Sequence, residues 1–254
     1  MELTSRKNET VRRFRELARD RKLRREQGVF VIEGDHLCGE AVSAGLEISF
    51  ALMTEKAREK YPAASEKLMS AAKSYAVISE DIAEYISDTK SPQGLFAEVL
   101  RPSAPQLPEG RLLILDGVQD PGNVGTMIRT AEALGIKGAL LSADCADVWS
   151  PKTLRASMGS VFRLPCITAE LSQTITGLRQ RGYEVYGAML DETAQRLGEL
   201  SFAENSAVVI GSEGSGISEE VRKACTGGLY IPITGAESLN AAAAASIILW
   251  ELSR

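Results

Sequence analysis

The chain has 254 residues, 44% of them hydrophobic, with a formal net charge of -5 and a single histidine. That length and apolar content support one large domain or two moderate ones and exclude a chain disordered throughout. The longest apolar stretches, Leu112 to Leu115 and Ala241 to Trp250, fall well short of the roughly 20 residues that span a bilayer, so no membrane segment is expected.

The N-terminus, MELTSRKNETVRRF, carries charge but no apolar secretory region, which predicts a cytoplasmic location. Residues 1–30 hold ten Arg or Lys against five acids, a local excess of +5 that leaves -10 for the rest. Affinity for a polyanion follows local phosphate neutralisation more than whole-chain charge. Charge alone therefore leaves open a phosphate-binding face and a merely solvated helix. Val11, Phe14, Leu17, Ala18 and Leu23 recur at near-helical spacing through Val11 to Arg25, with a basic opposite face; Arg12, Arg13, Arg19, Lys22, Arg24 and Arg25 are the candidate RNA contacts.

VFVIEG at 29–34 reads as a strand, followed by a helix around Leu37 to Ala44, and then by strands at 48–54, 74–79 and 95–100. His36 and Cys38 lie within this small α/β unit. Without third and fourth ligands they read as packing or surface residues, and the scattered Cys145, Cys166 and Cys225 form no CxxC pair, so neither structural zinc nor a disulfide scaffold is expected. RPSAPQLPEG at 101–110, with three prolines and a glycine, is the best linker in the sequence.

Beyond it strands alternate with helices: strand 112–116, helix 124–134, strand 138–142, helix 151–157, strand 161–164, helix 169–181, strands 183–188 and 207–211, helix 218–225, strand 229–232 and a last helix 239–252. This alternation predicts a mostly parallel sheet covered on both faces, with ligands at the carboxyl ends of its strands.

Three loops fall at such ends. DGVQDPGNVGTMIR at 116–129 follows an aliphatic strand; it has neither GxGxxG spacing nor a phosphate-loop lysine. In the helix it opens, Arg129 is placed either to reach a ligand or to make a surface salt bridge. VVIGSEGSGIS at 208–218 puts Glu213 among three glycines, a pattern open to a structural turn or a ligand loop. LYIPITGAESLNAAAAAS at 229–246 leads into five consecutive alanines, which permit close helix approach; Ser238 and Asn240 at its mouth suit either capping or substrate binding.

Taken together and in this order, N123-V-G-T-M-I-R129, G211-S-E-G-S-G-I-S218 and I231-P-I-T-G-A-E-S-L-N240 resemble the motifs of the SpoU/TrmH group of the SPOUT superfamily, RNA 2′-O-ribose methyltransferases. The likeness runs from about Arg111 to Arg254 and includes S150-P-K-T-L-R-A-S-M-G-S-V-F162. Residues 1–105 resemble the small L30e-like RNA-recognition domain found in many ribosomal-RNA members, which leaves 106–254 as the catalytic domain. The resemblance implies a deep trefoil knot, a homodimer and S-adenosylmethionine as cofactor. It implies catalytic and substrate-side roles for Asn123, Arg129, Glu213, Ser238 and Asn240, and cofactor contacts from Gly211, Ile231 and Leu239. The alanines after Asn240 depart from the valine and serine of many relatives, which bears on local packing. No metal is expected. Large-subunit ribosomal RNA is the leading substrate; the alternatives are a transfer-RNA 2′-O-methyltransferase and a noncatalytic RNA-binding or ribosome-assembly protein.

Overall fold

The computed structural model describes residues 2–103, 106–191, 193–235 and 238–254. They form two compact units, Met1–Ser103 with Trp149–Phe162, and Ala104–Val148 with Arg163–Arg254.

The first unit runs β1 (Glu2–Leu3), α1 (Glu9–Arg19), α2 (Arg21–Gln27), β2 (Val29–Glu33), α3 (Asp35–Ser43), β3 (Ile48–Thr54), α4 (Glu55–Lys60), α5 (Pro62–Ala71), β4 (Tyr75–Ile78), α6 (Glu80–Ile86) and β5 (Leu95–Leu100). Its five strands are ordered β1-β4-β3-β5-β2, with β5 antiparallel to both neighbours. The periodicity that reads as one helix from Val11 to Arg25 is two. At Asp20 the chain turns extended (φ -101, ψ 107), and the carboxylate accepts from Lys22 N and Leu23 N to start α2. A short acceptor there competes with continuing the helix. Val11, Phe14 and Leu17 of α1 are fully buried against Val31, Leu52 and Phe96 of the sheet.

The second unit begins with β6 (Leu112–Asp116), α7 (Pro121–Ala133) and β7 (Gly138–Leu141). The chain then contributes α8 (Pro151–Ser157) and a 3₁₀ turn at Ser160–Phe162 to the first unit. There Phe30 stacks on Trp149 and Phe162, at 4.6 and 6.0 Å between ring centres. The apolar run expected as a strand at 161–164 is instead this turn. Met158 (φ 52) and Gly159 (φ 82) take left-handed backbone and reverse the chain, and the strand forms later.

The second unit resumes with β8 (Cys166–Thr168), α9 (Leu171–Gln180), β9 (Glu184–Ala188), β10 (Gln195–Arg196), β11 (Ser206–Gly211), α10 (Glu219–Ala224), β12 (Gly227–Tyr230) and α11 (Ala241–Ser253). Its seven strands, ordered β10-β12-β9-β11-β6-β7-β8, are parallel throughout. Continuous aliphatic runs such as LLIL and AVVI fit strands buried on both faces. On one face Leu112, Ile114, Ala207 and Val209 pack with Leu171, Ile175 and Leu178 of α9 and Val221 of α10. Their alternates Leu113, Leu115, Val208 and Ile210 are also buried, on the other side of the pleat. The polyalanine start of α11 has the close approach expected of it: α11 packs on α7 and β11, burying Ala242, Ala245, Ile248, Leu249 and Leu252. Among the described residues no helix is long and apolar enough to cross a membrane.

Candidate functional site

The three loops leave the carboxyl ends of β6, β11 and β12. The first is shaped by two aspartates. Asp116, the last residue of β6, is 8% exposed, and its Oδ2 accepts from Ser218 N at 2.7 Å. Asp120 caps α7, accepting from Asn123 N at 2.9 Å, with Pro121 in the first turn where its missing N–H costs nothing.

In the second loop Ser212 and Gly216 exchange backbone hydrogen bonds, each 3.0 Å, and Ser212 Oγ accepts from Ser215 N at 3.1 Å. This closes a tight turn with Glu213 at its exposed tip. Gly211, at the end of β11, is required here for space. A Cβ would lie 2.1 Å from Gly216 C and 2.3 Å from Ile217 N. In the third loop Asn240 caps α11, its Oδ1 accepting from Ala242 N and Ala243 N at 2.9 and 3.2 Å.

Side chains join the loops. Asn240 Nδ2 donates to Asn123 Oδ1 at 3.3 Å, and Asn123 Nδ2 donates to Glu213 Oε1 at 2.6 Å. The capping bonds fix which Asn240 atom is the acceptor, so the orientation of both amides follows from the network. Residues 90 and 117 positions apart in the sequence thus form one polar chain across three loops. Asn240 thus caps α11 with its amide oxygen and joins the chain of loops with its amide nitrogen.

Of the other expected site residues, Arg129 is exposed on α7 and has no ion-pair partner among the described residues. It lies about 9 Å along the helix axis from Asn123. Ser238 is exposed and makes no hydrogen bond among the described residues. Leu239 adjoins Asn240 and is 37% exposed. Gly211 is two residues before Glu213. Ile231, half-buried, is one residue beyond β12, which is separated from β11 by β9, about 10 Å across the sheet. Asp116 and Asp120 did not emerge from the sequence reading. Their signals were there: an acid closing an aliphatic strand, and Asp before Pro at a helix start.

The basic segment of the first unit divides. Arg12, Arg19, Lys22 and Arg25 are exposed; Arg12 and Lys22 make long pairs with Glu16 and Glu26, at 3.6 and 3.8 Å. Arg13 bonds Glu98 at 2.5 Å and also Gln27. Arg24 corrects the expectation of an RNA contact: it is 3% exposed and donates to Leu17 O at 2.6 Å, holding the corner between α1 and α2. Arg15, outside the expected set, stacks over Tyr85 at 3.8 Å.

The cysteines are buried or half-buried free thiols. Burial pushes Cys166 up to about 12 and Cys225 to about 11, which makes both poor nucleophiles and ligands. Among the described residues no three His, Cys, Asp or Glu side chains are grouped to hold a metal. A cleft of about 660 Å³ lined by Arg111, Lys137, Glu109 and Glu204 opens at the amino ends of the strands, away from the three loops.

Comparison with known proteins matches two families along the chain, the second match along it including the segment Trp149–Phe162 that packs with the first unit. Residues 110–250 match the SpoU rRNA Methylase family, and residues 8–97 match the MRM3-like substrate binding domain. The chain is 33% identical over 252 residues to the 23S rRNA (guanosine(2553)-2′-O)-methyltransferase RlmP of Bacillus subtilis, covering 99% of this chain and 98% of that protein. A putative RNA methyltransferase of the TrmH family from Porphyromonas gingivalis has a solved structure with a TM-score of 0.83 and 37% identity, covering 95% and 96% of the two chains. The AdoMet-bound rRNA methyltransferase of Sinorhizobium meliloti superposes with a TM-score of 0.87 at 28% identity, covering 99% and 97%. With the family match spanning more than half its length and a full-length relative above 30% identity, the chain belongs to the SpoU rRNA methylase family.

Proposed function

We propose that this protein is an S-adenosylmethionine-dependent 2′-O-ribose methyltransferase of large-subunit ribosomal RNA that acts in the cytoplasm as a homodimer. The observation that carries the reading is the Asn240–Asn123–Glu213 chain, which unites all three family motifs at the carboxyl edge of a parallel sheet, where such sheets place ligands.

The cofactor supplies an electrophilic methyl group on a sulfonium. The loop residues suit it: Ile231, Ile233 and Leu239 give an apolar, partly exposed rim, and the chain leaves the sheet ladder after Tyr230, which frees backbone groups for a ligand. The protein's own task is placement of the 2′-oxygen. Asn240, fixed by its cap, and Asn123, held between Asn240 and Glu213, present compact polar groups for ribose, with Ser238 beside them. Arg129 contacts the target ribose and adjacent phosphate and stabilises negative charge as the hydroxyl passes its proton to that phosphate. A guanidinium, protonated below about pH 12, is unsuited to be a simple base.

Homodimerisation has structural support in α11. Its buried stripe is backed by an exposed one, Ala243, Ile247 and Trp250, with Ile247 and Trp250 at 41% and 56% exposure. A second copy would cover it. The knot implied by resemblance concerns the return of the chain from β12, outside β9, to α11 against α7 and β11. The substrate assignment rests on RlmP, 2′-O-methyltransferase of 23S rRNA, being similar along the whole chain, and on the exposed arginines of α1 and α2.

The test is mass-spectrometric mapping of 2′-O-methylation on unmodified ribosomal and transfer RNAs. A site in large-subunit RNA is expected. Arg129→Ala should abolish transfer while retaining fold, adenosylmethionine binding and RNA binding. A strong site in transfer RNA alone, or unchanged turnover in Arg129→Ala, overturns the substrate or the role. Absence of both cofactor binding and transfer favours a noncatalytic RNA-binding protein.

A further inference from the structure

Asp116 is an ionisable side chain 8% exposed at the end of a strand of otherwise aliphatic residues, a place where an acid needs a specific partner. Its partner is the backbone N–H of Ser218, at 2.7 Å and 102 residues away. Ser218 is the last residue of the second loop and opens α10, with no side-chain capping bond of its own. Asp116 also stands beside Gly211 in the parallel register of β6 and β11. The second loop is therefore held at both ends: Gly211 enters it through the strand ladder, and Ser218 leaves it through the carboxylate of the neighbouring strand. Between those anchors, the Ser212–Gly216 bonds set the turn that carries Glu213 to Asn123.

We propose that Asp116 is a positioning residue: by holding Ser218 N it fixes the second loop so that Glu213 reaches Asn123 and, through it, Asn240. Fixing both loop ends leaves the Glu213 carboxylate little freedom, which keeps a polar network at the mouth of a substrate site in one geometry. Asp116 touches no reacting atom in this scheme. Its connection to catalysis rests on the methyl-transfer reading above, whereas its connection to the loop does not.

The test uses the full chain with two readouts. The first is the side-chain amide resonances of Asn123 and Asn240 by NMR, with Glu213→Gln as the reference for a changed Asn123 partner. The second is methyl transfer to unmodified 23S ribosomal RNA, with kcat and KM separated. Asp116→Ala, folded by circular dichroism, is expected to shift the Asn123 amide signals and to lower kcat tenfold or more at an RNA KM changed less than twofold. Asp116→Asn retains an oxygen acceptor and should recover both readouts at least half-way. Should Asp116→Ala fail to fold, Asp116→Val removes the same acceptor with a β-branched side chain suited to a strand; it should shift the same resonances and lower kcat in the same way. Asn123 signals unmoved in a folded Asp116→Ala or Asp116→Val protein overturn the proposal, as does a kcat loss in Asp116→Asn equal to that in Asp116→Ala. If the wild-type chain transfers no methyl group, the reaction assignment falls and the resonances still decide the role of Asp116.

Discussion

Gly211→Ala adds one methyl group where the end of β11 lies against the backbone of its own following turn. Its Cβ would stand 2.1, 2.3 and 2.4 Å from Gly216 C, Ile217 N and Gly216 O, so the turn must retreat by more than 1 Å to restore a contact of about 3.5 Å. All three atoms are backbone, and no rotamer relieves the clash. Retreat breaks the two Ser212–Gly216 hydrogen bonds, each worth about 0.5–1.5 kcal/mol net. The sum is about 1–3 kcal/mol, within the usual range for overpacking, and corresponds to a fall of about 2–12 °C in Tm for a chain of this size. Gly214→Ala is the internal control: it lies in the same loop, without positive φ, and its Cβ would meet nothing within 4 Å. Scanning calorimetry of the two variants beside the parent should show the fall in the first alone. A Tm for Gly211→Ala within 1 °C of the parent would refute the steric argument and return Gly211 to a role in cofactor contact only.

Other outcomes follow from the same geometry. Arg24→Ala removes a buried guanidinium donor from Leu17 O and should cost about 1.5–3 kcal/mol by urea denaturation, far more than Arg25→Ala on the exposed side. Ile247→Glu with Trp250→Glu places two charges on the exposed stripe of α11; for the proposed homodimer, sedimentation should show a dimer in the parent and a monomer in the variant, and a variant dimer that persists at micromolar concentration argues for a different face. Burial raises the Glu33 carboxyl above its ordinary value, with Ser87 and Gln93 opposing. An acid raised in the folded state stabilises it only while protonated, so this contribution is full below the unfolded pKa and is lost as pH rises through the folded one. Glu33→Gln should therefore flatten the stability profile on the acid side of neutrality. An unchanged slope between pH 4 and 7 would show that Glu33 titrates alike in both states.

The fold was legible where one physical signal dominated. LLILD and LFAEVL form strands with the expected bounds, because apolar runs without turn residues have few other uses. Periodicity alone extends the first helix too far, because it reports which face is apolar and says nothing of Asp20, whose carboxylate starts a new helix. VFRL misled for the opposite reason: its composition favours a strand, while the left-handed Met158 and Gly159 dictate a turn. Arg24 looked like its exposed neighbours because charge in a sequence carries no direction. No spacing rule unites Asn123, Glu213 and Asn240; their order was recognisable by resemblance, whereas their hydrogen bonds belong to the sheet that brings three loop mouths together.

Phe30 has a consequence for how this protein is made. It is completely buried, and two of the rings covering it, Trp149 and Phe162, are encoded more than a hundred residues later. When the ribosome has released the first 103 residues, the first unit is still missing the segment that closes this patch. At about 5–20 residues per second the remaining stretch through Phe162 takes roughly 3–12 s, an interval in which a bare aromatic surface is open to chaperones or to other nascent chains. A protease cut in the proline-rich stretch at 101–110 would leave the amino-terminal fragment joined to those rings by packing alone.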